Sequence, residues 1–196
     1  MSQILNVKIN STDVLKDYDG LRCIAYANAM LAGETGVCLV LLEIPSTEPV
    51  RVVVNMAQKE ASAVLPLPET EQSFDFGTAF LFPAGWFVVT EQTAQQVLPD
   101  LRAAMPDVGT VYIVTLDPET AHVTLARCVP GQRPVFVARK VEAAAAAAMV
   151  LHRDLSDGTM EQTIGQRGGV LEIGLRKQGG ALVGLSVGGP VEMKAK

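Results

Sequence analysis

Residues 4–9 (Ile-Leu-Asn-Val-Lys-Ile) alternate apolar and polar side chains, the period of a strand with one covered face. Residues 10–20 are polar and turn-rich, and residues 21–26 read as a second short strand. The apolar run 37–42 (Val-Cys-Leu-Val-Leu-Leu) fits either a strand or a helix by periodicity. Glu34 and Thr35 just before it favour a helix N-terminus. β-Branched residues at 50–56 and alternation at 61–67 predict a hairpin, and the acidic stretch 66–76 reads as a connector. Residues 79–90 are strand-like. Thr90 then caps a helix over 91–105, with Ala94, Val97, Leu98, Leu101 and Met105 on one face. Strands follow at 110–116 and 122–129, parted by the turn Asp117-Pro118-Glu119-Thr120.

Residues 141–151 hold Val141, Glu142, six alanines, Met149, Val150 and Leu151, so a helix here has almost no polar face. A helix that is apolar all round is buried. Alanine has the best helix propensity, and its small side chain lets strands wrap closely about the axis. Asp157-Gly158 then turns the chain. Residues 168–176 and 181–187 read as strands joined by Gln178-Gly179-Gly180, a hairpin signal, and a short last strand is expected at 191–193.

Hydrophobic residues make up 48% of the 196 positions and charged ones 19%, enough core for one large domain or two small lobes. The net charge of −5 lacks the basic footprint of a nucleic-acid binder. No apolar run reaches the ~18 residues that span a bilayer, and the first residues lack a signal-peptide layout. A cytoplasmic protein with no membrane partner is expected. Cys23, Cys38 and Cys128 show no CxxC spacing and leave one thiol unpaired, which fits a reducing compartment. His122 and His152, the two histidines, lie on different predicted elements, so no metal site and no cofactor are expected.

A near-repeat links the two ends of the chain. Leu21-Arg22-Cys23-Ile24 precedes the small-residue run at 31–42, and Ala126-Arg127-Cys128-Val129 precedes the one at 141–151. Each run is followed by a β-like ribbon, at 50–66 and 168–193. This predicts an α+β fold of two unequal pseudo-symmetric lobes, residues 1–76 and 77–196. Each lobe is a curved, mostly antiparallel sheet around a buried helix, with a ligand cleft between the halves.

The second half resembles the PhzF-like isomerases, which have the diaminopimelate epimerase fold. The resemblance rests on Leu98-Pro99-Asp100-Leu101, on Ala126-Arg127-Cys128-Val129-Pro130-Gly131, and on the small-residue helix. It also rests on a loop at 162–167 and on Leu185-Ser186-Val187-Gly188-Gly189-Pro190-Val191. The segment 22–43 is similar to that family's first-lobe stretch, and Gly33-Glu34-Thr35 to the "GET" step of diaminopimelate epimerases. The resemblance implies a proton-shifting isomerase for a small carboxylate. It does not carry over the family's acid–base residues. Glu34 stands at the histidine position, Val137 lies nearest the aspartate, and the segment with the early glutamate has no counterpart.

The residues support one arrangement of their own. If both apolar runs are helices, their N-termini offer free N–H groups and partial positive charge. Arg139 and Lys140, just before the second run, are then candidate ligands for a carboxylate, with Thr35 and Gly36 before the first. Glu34 is either a general base or a helix cap. Cys23 and Cys128 read as buried small hydrophobes or as a two-base thiol pair. Gly165-Gln166-Arg167-Gly168-Gly169 has the composition of a phosphate loop, but without a preceding strand and a following helix it reads rather as a turn. The function expected is an isomerase-related protein that binds a small carboxylate between two helix N-termini. The alternative is a non-enzymatic homodimeric binding or scaffold module, whose second copy covers an open sheet edge.

Overall fold

The computed structural model describes residues 4–10, 18–45, 48–137, 140–167 and 169–191. The chain divides into two compact units, Met1–Leu65 with Ser186–Lys196, and Pro66–Leu185. The expected boundary at 76/77 falls inside the second unit, within a hairpin.

In the first unit, β1 (Ile4–Lys8) lies parallel to β2 (Val37–Glu43), which pairs antiparallel with β3 (Val50–Asn55) and that in turn with β4 (Glu60–Leu65). Helix α1 (Tyr18–Leu31) covers one face of this sheet with Leu21, Arg22, Ala25 and Ala29. The residues at 21–26 are therefore helical, not a strand, and the run at 37–42 is a strand, not a helix. The reason is Gly33, whose φ of 78° ends α1. The N–H of Glu34 donates to the Ala29 carbonyl and that of Gly33 to Met30, the paired bonds of a Schellman C-cap. Beyond that cap the chain is extended. Cys38, Val40 and Leu42 face α1, while Leu39 and Leu41 are half-buried on the other face. The matched tetrapeptides consequently occupy different elements, 21–24 in a helix and 126–129 at the end of a strand.

The chain's last described residues complete this unit. The Val191 N–H donates to Lys59 O at 2.9 Å and the Ala61 N–H to Gly189 O at 3.3 Å. The buried guanidinium of Arg22 donates to the carbonyls of Ala61 and Gly189, pinning α1 to β4 and to the chain's last described segment. Residues 192–193 of the expected last strand lie outside the described residues, and Val191 is not in a strand.

The second unit is one curled sheet. Its strands are β5 (Thr70–Phe74), β6 (Gly77–Phe82), β7 (Gly85–Thr90), β8 (Val111–Asp117), β9 (His122–Cys128), β11 (Gly158–Gln166) and β12 (Gly169–Gln178), in that order. β13 (Ala181–Gly188) follows β12, its residues through Leu185 belonging to this unit, and β10 (Val135–Val137) pairs with β9. Neighbours are mostly antiparallel, with β7 parallel to β8 and β9 parallel to β11. The expected connector thus contains a strand, and residues 79–90 are a hairpin that turns before Gly85 (φ 127°). Helix α2 (Ala94–Ala104) starts at Thr93 rather than Thr90; the Gln96 Oε1 accepts from the Thr93 N–H. Its buried Ala94, Val97 and Leu101 pack on Ala79, Val88, Ile113 and Ala126.

The other face of that sheet wraps α3 (Val141–Leu151), within the limits expected from sequence. Every residue from Val141 to Ala148 is buried, and β6, β7, β8, β9, β11 and β12 all touch the helix. By alternation, Phe80, Phe87, Val89, Val114 and Leu125 face it. Two contacts give its direction. Lys140 at its start stacks over Tyr112 early in β8, and Arg153 past its end donates to the Thr78 hydroxyl opposite Val89 late in β7. α3 therefore runs in the same sense as β7 and β8.

Candidate functional site at the start of helix α3

The start of α3 is built by its neighbours, not by its own capping side chain. Lys140 holds the N-cap position in extended conformation (φ −136°, ψ 135°) and makes no side-chain cap bond. The buried Gln166 side chain clamps it from the last residue of β11. Its Oε1 accepts from the Lys140 N–H at 3.2 Å, and its Nε2 donates to the Lys140 carbonyl at 3.2 Å. Both bonds go to backbone, so the clamp fixes where the helix begins without using the lysine side chain. That side chain lies over the Tyr112 ring, ammonium 4.9 Å from the centroid, with Phe87 stacked on Tyr112 from within (4.8 Å). A cation so placed is held in position but keeps donors free.

The first-turn N–H groups of an α-helix have no acceptor within the helix. Here one of them meets Glu142. The carboxyl of Glu142 accepts from its own backbone N–H, and the residue is 6% exposed. Burial pushes its carboxyl above the ordinary glutamate value; the backbone bond and the Lys140 charge oppose this only in part. Among the described residues, no side chain hydrogen-bonds or ion-pairs with it. The arrangement thus places the Lys140 cation, a helix N-terminus and a buried carboxyl whose pKa burial raises within three residues.

Lys140 stands at the helix start as expected. Arg139 lies outside the described residues. Glu34, Thr35 and Gly36 follow the C-cap of α1, so no helix starts there to supply free N–H groups. The C-terminal end of a helix carries partial negative charge, which opposes an anion. Gln166 was read only as part of a turn and Glu142 only as part of a buried helix. The signal for Glu142 was present: one ionisable residue in a segment otherwise apolar all round.

Other candidates resolve into structure. Cys38 and Cys128 are buried, and burial raises both thiols, which disfavours the reactive thiolate. Cys23 lies on α1 and Cys128 on β9. The stretch around Gly165 closes the β11–β12 hairpin, with Gln166 opposite Gly169, so it is a turn. Two open depressions of about 500 Å³ lie elsewhere on the second unit. One is lined by Glu91, Asp117 and His122, the other by Leu98, Arg102 and Arg133. In the latter, Arg102 already donates to the carbonyls of Val108, Gly109 and Cys128, which leaves it little to offer a ligand.

Among solved structures, a predicted epimerase from Pseudomonas aeruginosa superposes with a TM-score of 0.59 at 16% identity, over 89% of this chain and 71% of that one. The chain has an epimerase-type fold. This is the fold that the resemblance to PhzF-like isomerases implied. A PhzF-family phenazine biosynthesis protein from Bacillus anthracis matches at TM-score 0.49 and 14% identity, over 87% of this chain and 71% of that one. A hydroxyproline epimerase from Agrobacterium vitis with bound trans-4-hydroxy-L-proline matches at 0.48 and 13%, over 89% and 63%. No family model and no curated protein matches the chain. Among the described residues no helix is long and apolar enough to cross a membrane, and no group of three or more His, Cys, Asp or Glu side chains is placed to hold a metal.

Proposed function

We propose that this chain is an isomerase-related protein whose second unit binds a small carboxylate at the start of α3. One observation supports this above the rest: an uncapped helix start with the Lys140 ammonium beside it and its backbone pre-set by Gln166. Free N–H groups and an adjacent cation are the chemistry that holds a carboxylate. The ligand's carboxylate bonds the first-turn N–H groups and the ammonium, and Tyr112 supplies the wall. Glu34, Thr35 and Gly36 have no part in it. A proton shift beside the bound carboxylate is the reaction type that the epimerase-type fold favours.

The test is a titration of ¹⁵N-labelled protein with sodium formate and sodium acetate at pH 6. Saturable shifts of the Val141, Glu142 and Ala143 amides are expected. The Arg139→Ala/Lys140→Ala variant weakens them by about tenfold, the scale of a lost charge-assisted contact. The Gln166 clamp survives in that variant because it holds only backbone. Equal affinity in parent and variant excludes the site.

A second role, as a homodimeric scaffold, is favoured by a row of apolar side chains on the first unit's sheet. Ile4, Leu39 and Val53 are neighbours in register, and Ile4 and Val53 are exposed. Sedimentation of a monomer at micromolar concentration excludes it.

A further inference from the structure

The sheet of the first unit has two faces, and α1 covers one of them. On that face Cys38, Val40, Val52, Val54 and Ala63 are fully buried. The opposite face carries Ile4, Val37, Val53 and Val64 at 58, 49, 45 and 44% exposure, with Leu39 and Leu41 half-buried among them. A contiguous apolar patch of this kind marks an interaction surface. The register sets the face out in rows across the strands. Ile4, Leu39, Val53 and Ser62 form one row, from β1 to β4. One step to one side of it lie Leu41 on β2 and Arg51 on β3. One step to the other side lie Val37 on β2, Asn55 on β3 and Glu60 on β4. The apolar row thus has a basic flank and an acidic flank. Arg51 and Glu60 stand four residues apart along the ladder, roughly 14 Å, too far for an ion pair within one chain.

We infer that this face docks a second copy of the chain, sheet against sheet, about a twofold axis that lies along the row of Ile4, Leu39 and Val53. The inference rests on the homodimer reading and adds to it the face, the axis and the charges that fix them. A twofold along the row lays each of its side chains on its own counterpart and exchanges the flanks. Leu41 then meets Val37 of the second copy. Arg51 of each copy comes beside Glu60 of the other, one strand away and within reach of a long side chain. The result is an apolar centre with two oppositely charged contacts at its rim, the anatomy of a protein interface. An axis along the strands, between β2 and β3, would instead set Arg51 on Leu41 of the second copy, a charge against an apolar wall. A different partner would have to present an apolar row between flanks of opposite charge; this chain presents that pattern to itself. The contact is isologous, so it closes at two copies.

Sedimentation equilibrium of the full chain over a concentration series tests it. The parent is expected to dimerise. Val53→Asp, which brings two carboxylates together on the axis, is expected to remove the dimer. Arg51→Glu and Glu60→Arg each oppose like charges at two places and are expected to weaken association by about tenfold. The double variant Arg51→Glu/Glu60→Arg restores it. An equimolar mixture of the two single variants also restores it, as a heterodimer, because each carries the charges that complement the other. The three substituted side chains are exposed, so the dilute variants keep the parent's Tm, and that measurement separates lost association from lost fold. A parent dimer that no single variant weakens, or whose loss neither the double variant nor the mixture repairs, overturns the inference and leaves the homodimer reading to another face. A parent that stays monomeric through the micromolar range, its face left to a different partner, overturns both.

Discussion

Asp157 and Glu142 are both carboxyl groups bonded to backbone N–H, and their surroundings drive them in opposite directions. Asp157 is exposed; it accepts from the N–H groups of Gly179 at 2.7 Å and Gly180 at 2.9 Å, which hold its carboxyl below the usual aspartate value. Lys177 adds to this. The stability it contributes is present above the unfolded-state aspartate pKa and is lost as pH falls through the lower folded value. Asp157→Asn is therefore expected to lower Tm at pH 7 and to leave it unchanged at pH 2, as followed by calorimetry. An equal loss at both pH values would show that charge has no part in the staple. Glu142 has no such exposure, and there burial decides. The role of Asp157 was not legible in the sequence, because its partners are turn glycines 22 and 23 positions away, whereas Glu142 stood out as the one ionisable residue of an apolar run. Lys140 was legible because it stands directly before an alanine-rich run that only a helix fits, whereas the Gln166 clamp that holds it comes from across space.

At the scale of elements, α3 was legible to the residue and α1 was not, for one reason. A run of six alanines inside an apolar segment has no competing strand pattern, so propensity and burial agree. Residues 21–26 and 37–42 carry patterns that fit either element, and the deciding signal was a single glycine. Gly33 reads equally as the turn before a helix or the cap after one until its φ of 78° is known. The strands at 70–74 and 158–166 were missed because their polar, half-exposed residues carry almost no apolar alternation. The closeness of the sheet to α3 sets a measurable constraint. Ala145 is fully buried. Ala145→Leu is expected to destabilise by about 1–3 kcal/mol through overpacking. Ala145→Gly costs about 1 kcal/mol through helix propensity alone. Urea denaturation of both variants checks the order; a neutral leucine would mean that the sheet stands off the helix.

At the scale of the whole molecule, the two units differ in how the chain enters them. The second is one continuous segment, Pro66–Leu185, and contains α2, α3 and the sheet that covers both. The first is discontinuous and takes residues from both ends of the chain. Its Met1–Leu65 portion lacks the acceptor at Gly189 for the Ala61 N–H and for the Arg22 guanidinium, and the Val191 donor for Lys59 O. Leaving a buried guanidinium short of its acceptor costs more than the bond itself contributes. A fragment of residues 66–185 is therefore expected to give a dispersed amide spectrum and to unfold cooperatively. A fragment of residues 1–65 is expected to give the narrow spectrum of an unfolded chain. Supplying the missing segment in the same chain, by joining residues 186–196 after Leu65 through a short glycine–serine linker, is expected to restore dispersion to the first unit. A dispersed spectrum from residues 1–65 alone would show that the hydrogen bonds to Gly189 and Val191 are dispensable to its fold.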